Sequence, residues 1–210
     1  MRAAFLDAAQ IAVGLLRDPA VARAWARPSA LAGFTVGGLA AHLGAQVFNV
    51  KAALAADLPP DARQLTLPEH YGSVAWIGAD IDTDANVAIR AGGEKTAADG
   101  PAAVVARVEG ALDELRAALP AERGDRPVLL PWTGWALTLD DLLVTRMMEI
   151  AVHGDDLAVS VDVPTPTFPD AVFAPVVALL TGLAARRHGQ AALLRALSRA
   201  ERAPTTVSAL

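Results

Sequence analysis

Residues 138–159 read TLDDLLVTRMMEIAVHGDDLAV, and this stretch decides the fold. At about 100° per residue, Leu142, Arg146, Glu149, Ile150, His153, Asp156 and Leu157 share one helix face. Leu142, Ile150 and Leu157 turn that face inward. The spacing predicts a helix over 139–159, with Thr138 as N-cap and Asp141 in the place of the usual capping-box acid. An apolar face of this length needs other helices to cover it.

Outward from this segment, apolar residues at helical spacing predict further long helices over 2–25, 36–56 and 100–119. Thr35 is the expected N-cap of the second of these, and Pro59-Pro60 ends it. Gly100-Pro101 opens the third and Pro120 closes it. The four together predict an all-α, four-helix bundle. The connection between 56 and 100 is a long crossover. It reads as mostly irregular over 60–98, with one short helix near 71–79. Val128-Leu129-Leu130 and Trp135-Ala136-Leu137 flank Pro131-Trp132-Thr133-Gly134 and predict a small hairpin or extended loop. The expected organisation is a bundle over 1–160, a Pro-rich linker over 161–169 and a helical extension over 170–210, with helices at 170–188 and 190–201. The apolar residues of that extension are expected to pack back on the bundle or across a homodimer interface.

Composition narrows the function classes. Apolar residues make up 53% of the 210, with a net charge of −5. Such an acidic chain has no electrostatic reason to bind nucleic acid or an anionic membrane. There is no cysteine, so disulfides and Cys-ligated zinc are excluded. The N-terminal segment lacks the pattern of a signal peptide, and no stretch reaches the length of a membrane span. The expected location is the cytoplasm.

The chemistry is concentrated in polar residues placed where the core should be. Glu149 and His153, at i and i+4, project side by side from the apolar face of 139–159. On 36–56, His42, Gln46, Asn49 and Ala53 form one stripe bordered by Leu39 and Val50. A buried carboxylate without a partner is costly. If the two helices face each other, His42 completes a two-histidine, one-carboxylate set for a divalent metal, with an open position for water, a thiolate or substrate. By pattern alone, a hydrogen-bonded core histidine and an ordinary helical Glu–His pair explain the same spacing. His70 and His188 read as solvated. The Asp80, Asp82, Asp84 run lacks the glycine and distal Glu of a calcium loop.

Two motifs carry a family resemblance. WARPSALAGFTVGGLAAH, residues 25–42, resembles the pattern W-x-x-P-S-x-L-x-G-W-T-V-x-x-L-x-x-H. RMMEIAVHGDDL, residues 146–157, resembles R-x-x-E-x-x-x-H-x-x-D-L. Both patterns belong to the DinB-like, mycothiol-dependent maleylpyruvate isomerase family of actinobacteria, and the resemblance covers about residues 1–160. It implies a DinB-like bundle holding a divalent metal on His42, Glu149 and His153. Zinc is the usual ion, with nickel, iron and manganese as alternatives. It also implies mycothiol as the cosubstrate, which accords with a chain that has no thiol of its own. Phe34 departs from the family's Trp, and Asp155 stands where a larger residue is common. The roughly 40 residues after the linker are too few for the sterol-carrier-like domain of the characterised isomerase, so a different substrate is expected.

The resemblance therefore implies a thiol-dependent transferase or isomerase acting on a small electrophile. In that reading Arg146 holds a substrate carboxylate or pairs with Glu149. Asp156 orients His153, and Gln46 and Asn49 line the cofactor pocket. The alternative is a non-catalytic metal- or small-molecule-binding protein of stress response or regulation, because one fold hosts many functions.

Overall fold

The computed structural model describes every residue except Trp76, Gly78 and Ala79. Among the described residues it is mainly helical, with one small two-stranded sheet. Helices α1 (Arg2–Leu16), α3 (Val36–Ala55), α6 (Pro101–Ala118) and α7 (Leu139–Val161) form the expected bundle. Around it the neighbours run α1, α7, α3, α6 and back to α1. Phe5, Leu39, Leu43, Leu112, Leu142 and Met147 are fully buried in its centre. Each such side chain contributes about 1.5–3 kcal/mol by leaving water. No helix among the described residues is long and apolar enough to cross a membrane.

The helix expected over 2–25 is in fact two. α1 ends at Leu16, and α2 (Pro19–Ala24) starts afresh behind Asp18, whose carboxylate accepts from the Ala20 amide at 2.8 Å. Pro19 is the cause. It has no N–H to donate and its ring clashes with the carbonyl four residues back, so it belongs in a first turn.

The crossover differs most from expectation. It holds α4 (Leu67–Ser73), which starts four residues before the short helix expected near 71–79, part of which lies outside the described residues. It also holds α5 (Asp84–Ala97), a regular helix where irregular backbone is expected. Gly92 and Gly93 weaken the local helix signal, since glycine costs about 1 kcal/mol relative to alanine. At Gly93 the reason is tertiary. A Cβ there would lie 2.7 Å from the Gly38 carbonyl oxygen of α3. The two backbones touch at this point, so α5 lies flush against the helix that carries His42.

The same contact completes the α3 cap. The Thr35 hydroxyl accepts from the Gly38 amide at 2.9 Å, as expected, while the Thr35 amide donates to Glu94 of α5 at 2.8 Å. Trp25 covers Gly37 and donates its indole N–H to the Ala97 carbonyl at 3.1 Å. Thr138 caps α7 through the Asp141 amide at 3.1 Å.

The hairpin forms with β1 (Pro127–Leu129) antiparallel to β2 (Ala136–Thr138), Val128 facing Leu137. It has an unforeseen third member. The Leu65 amide donates to the Ala136 carbonyl at 2.9 Å, and the Ala136 amide to the Arg63 carbonyl at 2.8 Å. These bonds pin residues 63–65 to the hairpin. Thr66 and Glu69 then start α4 through a reciprocal capping box. The C-terminal segment packs back through α8 (Asp170–His188), which lies on α7 and α1 and buries Val172, Val176 and Leu183. Helix α9 (Gln190–Ser198) buries none of its residues, and Leu194 and Leu197 stay exposed.

Candidate metal centre

The face of α7 quoted above meets the His42 stripe of α3. Potential donor atoms of His42, Glu149 and His153 lie within 4.8 Å of one another. His153 Nε2 stands 3.1 Å from Glu149 Oε2, and the imidazoles of His42 and His153 sit edge-on at 4.8 Å between centroids. A four-coordinate ion with bonds near 2.1 Å needs donors about 3.4 Å apart. The donor set fits a divalent cation: two imidazoles and a buried carboxylate converge from two rigid helices.

The surroundings tune these groups. Burial pushes the Glu149 carboxyl upward, but the hydrogen bond and charge of His153, with Arg146 and His42, outweigh it and hold the pKa at about 2. Burial lowers His153, yet its hydrogen bonds to the Asp156 and Glu149 carboxylates prevail and raise it to about 9. His42 goes the other way. Burial, then the neighbouring His153, lowers it to about 4. In the metal-free protein at neutral pH, Glu149 is therefore ionised, His42 neutral and His153 protonated.

The other expected site residues divide. Asp156 Oδ2 lies 3.0 Å from His153 Nδ1, leaving Nε2 to face the cluster. Gln46 is buried. Its amide N–H donates to the His42 carbonyl at 2.9 Å, and its oxygen accepts from Arg146 Nη1 at 2.6 Å. Arg146 is buried too, but it does not pair with Glu149; its Nε donates to the Thr145 hydroxyl at 3.0 Å. Asn49 is only half-buried and makes no side-chain hydrogen bond among the described residues. A surface cavity of about 410 Å³, lined by Arg63, Pro68, Glu69 and Arg186 among others, includes none of the three candidate ligands.

His70 is a correction. Expected in solvent, it is buried, 3% exposed, and its Nδ1 accepts from the Trp135 indole at 3.0 Å. Burial, then the charge of Arg146, lowers its pKa to about 4. The ring is neutral and carries its proton on Nε2. Tyr71 beside it is also buried, and Trp132 of the hairpin connection stands 5.8 Å from the Arg146 guanidinium carbon. The capping box Thr66-x-x-Glu69 marks a helix start in the sequence. What it does not mark is the pairing of 63–65 with the hairpin, which carries His70 and Tyr71 inward. His188, expected in solvent, is half-buried, with its Nε2 2.8 Å from the Ser208 carbonyl oxygen.

Fold and donor set thus define a helical bundle with a candidate two-histidine, one-glutamate metal centre. The family described as mycothiol maleylpyruvate isomerase N-terminal domain matches residues 5–158, and the chain belongs to that family. No curated protein and no solved structure matches the chain.

Proposed function

We propose that the chain is a divalent-metal-dependent enzyme of thiol chemistry, in which a small thiol such as mycothiol attacks a small electrophile to give transfer or isomerisation. The observation that carries this reading is the convergence of His42, Glu149 and His153 in a member of this family. Zinc is the ion that two imidazoles and a carboxylate suit best. When bound, the cation supplies a positive centre that lowers the pKa of a thiol at an open position.

The chain's own residues do the rest. Asp156 accepts a hydrogen bond from the Nδ1–H of His153 and so holds the tautomer that presents Nε2. Gln46 ties α3 to α7 by bonding both the His42 carbonyl and Arg146. Glu149 is buried and His42 and His153 are partly buried, which strengthens the charge interactions among them relative to water. The thiol must come from outside, since the chain has no cysteine.

The test is metal analysis and thiol turnover on untagged protein. About one ion per chain is expected, with consumption of mycothiol against a panel of electrophiles that chelation abolishes and zinc restores. Metal bound at one per chain with no turnover of any pair would point instead to a non-catalytic binding protein.

A further inference from the structure

The surface cavity of about 410 Å³ lies on the outer side of α4, apart from the candidate ligands. Its size falls within the roughly 300–1,000 Å³ of small-molecule sites. Arg63, Pro68, Glu69, Gly72, Ser73 and Arg186 line it, so it brings two guanidiniums and one carboxylate to a common space. The chain as a whole carries a net charge of −5, and the cavity runs against that sign.

Both arginines are fixed at one end and open at the other. The Ala136 amide donates to the Arg63 carbonyl at 2.8 Å, which pins the backbone of Arg63 to the hairpin. Arg186 reaches α4 from the last turn of α8. Its Nη1 donates to the Pro68 carbonyl, and its Nη2 lies 3.1 Å from where a Cβ on Gly72 would stand. The bare backbone at Gly72 lets the guanidinium lie that close. A guanidinium has five N–H donors. Arg186 spends one of them on the protein and the Arg63 side chain spends none, among the described residues. Glu69 does not neutralise them. Its Oε2 accepts from the Thr66 amide and hydroxyl, both at 2.8 Å, and it forms no ion pair with either arginine among the described residues. An arginine in a last turn complements the helix dipole, which accounts for Arg186 in its own helix. It does not account for Arg63 on the same cavity, or for the donors left over.

We propose that Arg63 and Arg186 form a second binding site, which takes the carboxylate or phosphate oxygens of a small molecule seated in the cavity between α4 and α8. Guanidiniums match such oxyanions in shape and charge, and their bonds to ionised acceptors are about twice as strong as neutral ones. This site is separate from the thiol chemistry proposed above and needs neither metal nor thiol. It depends on the C-terminal segment, because Arg186 lies beyond residues 5–158 that the family covers.

Tyr71, the single tyrosine of the chain, adjoins Gly72 of the lining, so its backbone amide is a reporter with one resonance. The experiment uses the full chain labelled with 15N-tyrosine and titrated separately with sodium phosphate and sodium acetate, with sodium chloride holding the ionic strength constant. The Tyr71 amide should shift saturably with at least one of the two, and the tighter anion names the group the site takes. Arg63→Met and Arg186→Met should each weaken that anion by about tenfold or more. Arg187→Met removes the same charge from the next position of α8, outside the lining, and should change the affinity by less than about twofold. All three side chains are exposed, so the fold is kept; each arginine of the pair tests the site without the other. A resonance that moves with neither anion would overturn the site. So would equal weakening by all three substitutions, which marks diffuse charge, and a shift that survives both Arg63→Met and Arg186→Met, which places the anion at the metal cluster. No zinc and no thiol are added, so the outcome is independent of whether the chain turns over a thiol.

Discussion

Glu149 and His153 owe their proximity to one turn of helix, and His42 joins them only across the α3–α7 contact. Their protonation states make a quantitative expectation. A metal requires neutral histidines and an ionised carboxylate. Glu149 is held down at about 2 and His42 at about 4, so both are ready at neutral pH. His153, raised to about 9, must give up its proton. Zinc binding at pH 7 should therefore release about one proton, seen in calorimetry as a buffer-dependent enthalpy. Affinity should rise with pH up to about 9, because the competing proton on His153 is lost as pH rises through its pKa. His42→Ala, Glu149→Ala and His153→Ala should each weaken zinc by orders of magnitude, and Asp156→Asn by about 10–100-fold. His188→Ala should leave affinity unchanged. Equal zinc affinity across these variants, or no proton release, would remove the assignment of ligands.

At the scale of elements, the device that holds the site is the close approach of α5 to α3. Gly93 and Gly92 are adjacent glycines in one helix with opposite surroundings. A Cβ at Gly93 would meet the Gly38 carbonyl at 2.7 Å, whereas one at Gly92 would meet nothing within 4 Å. Gly93→Ala must push the helices apart and should destabilise by about 1–3 kcal/mol. Gly92→Ala sits in an exposed helix interior and should stabilise by about 0.5–1 kcal/mol. Urea denaturation of both variants checks the pair, and equal effects would mean that α5 does not press on α3 as described. The cap at Thr35 shows the same division between local and distant causes. Its hydroxyl serves the Gly38 amide as any N-cap residue would, but Glu94, 59 residues away, is what fastens that cap to α5.

For the whole molecule, the C-terminal segment divides into a part that shares the core and a part that does not. α8 buries Val172, Val176 and Leu183 against the bundle, while α9 buries none of its residues. Truncation after Val163 exposes the facing surfaces of α1 and α7, and should cost several kcal/mol on the scale of about 1.5–3 kcal/mol per buried aliphatic side chain. Truncation after Gly189 should cost clearly less, although Ala209 and Leu210 pack on the core. Thermal melts of the two truncations against the full chain decide it; equal losses would mean that α9 and the terminus carry the stability attributed to α8.

The sequence by itself determined the bundle helices apart from the break at Pro19, their caps at Thr35 and Thr138, and the inward Glu149–His153 pair, and it left 128–137 as a hairpin or an extended loop. All of these are written in local periods and in turn and capping residues, which depend on neighbours in the chain. Tertiary structure alone decided three things. It made α5 a helix, because the gain from laying Gly93 on Gly38 is invisible to local propensity. It buried His70 and Tyr71, because Leu65 and Ala136, far apart in the chain, share a backbone hydrogen bond. And it bonded Arg146 to Gln46 of α3 while leaving the Tyr71 hydroxyl without a hydrogen-bond partner among the described residues, because whether a polar side chain is satisfied depends on what lies across the core from it, and periodicity along one helix carries no information about the facing side.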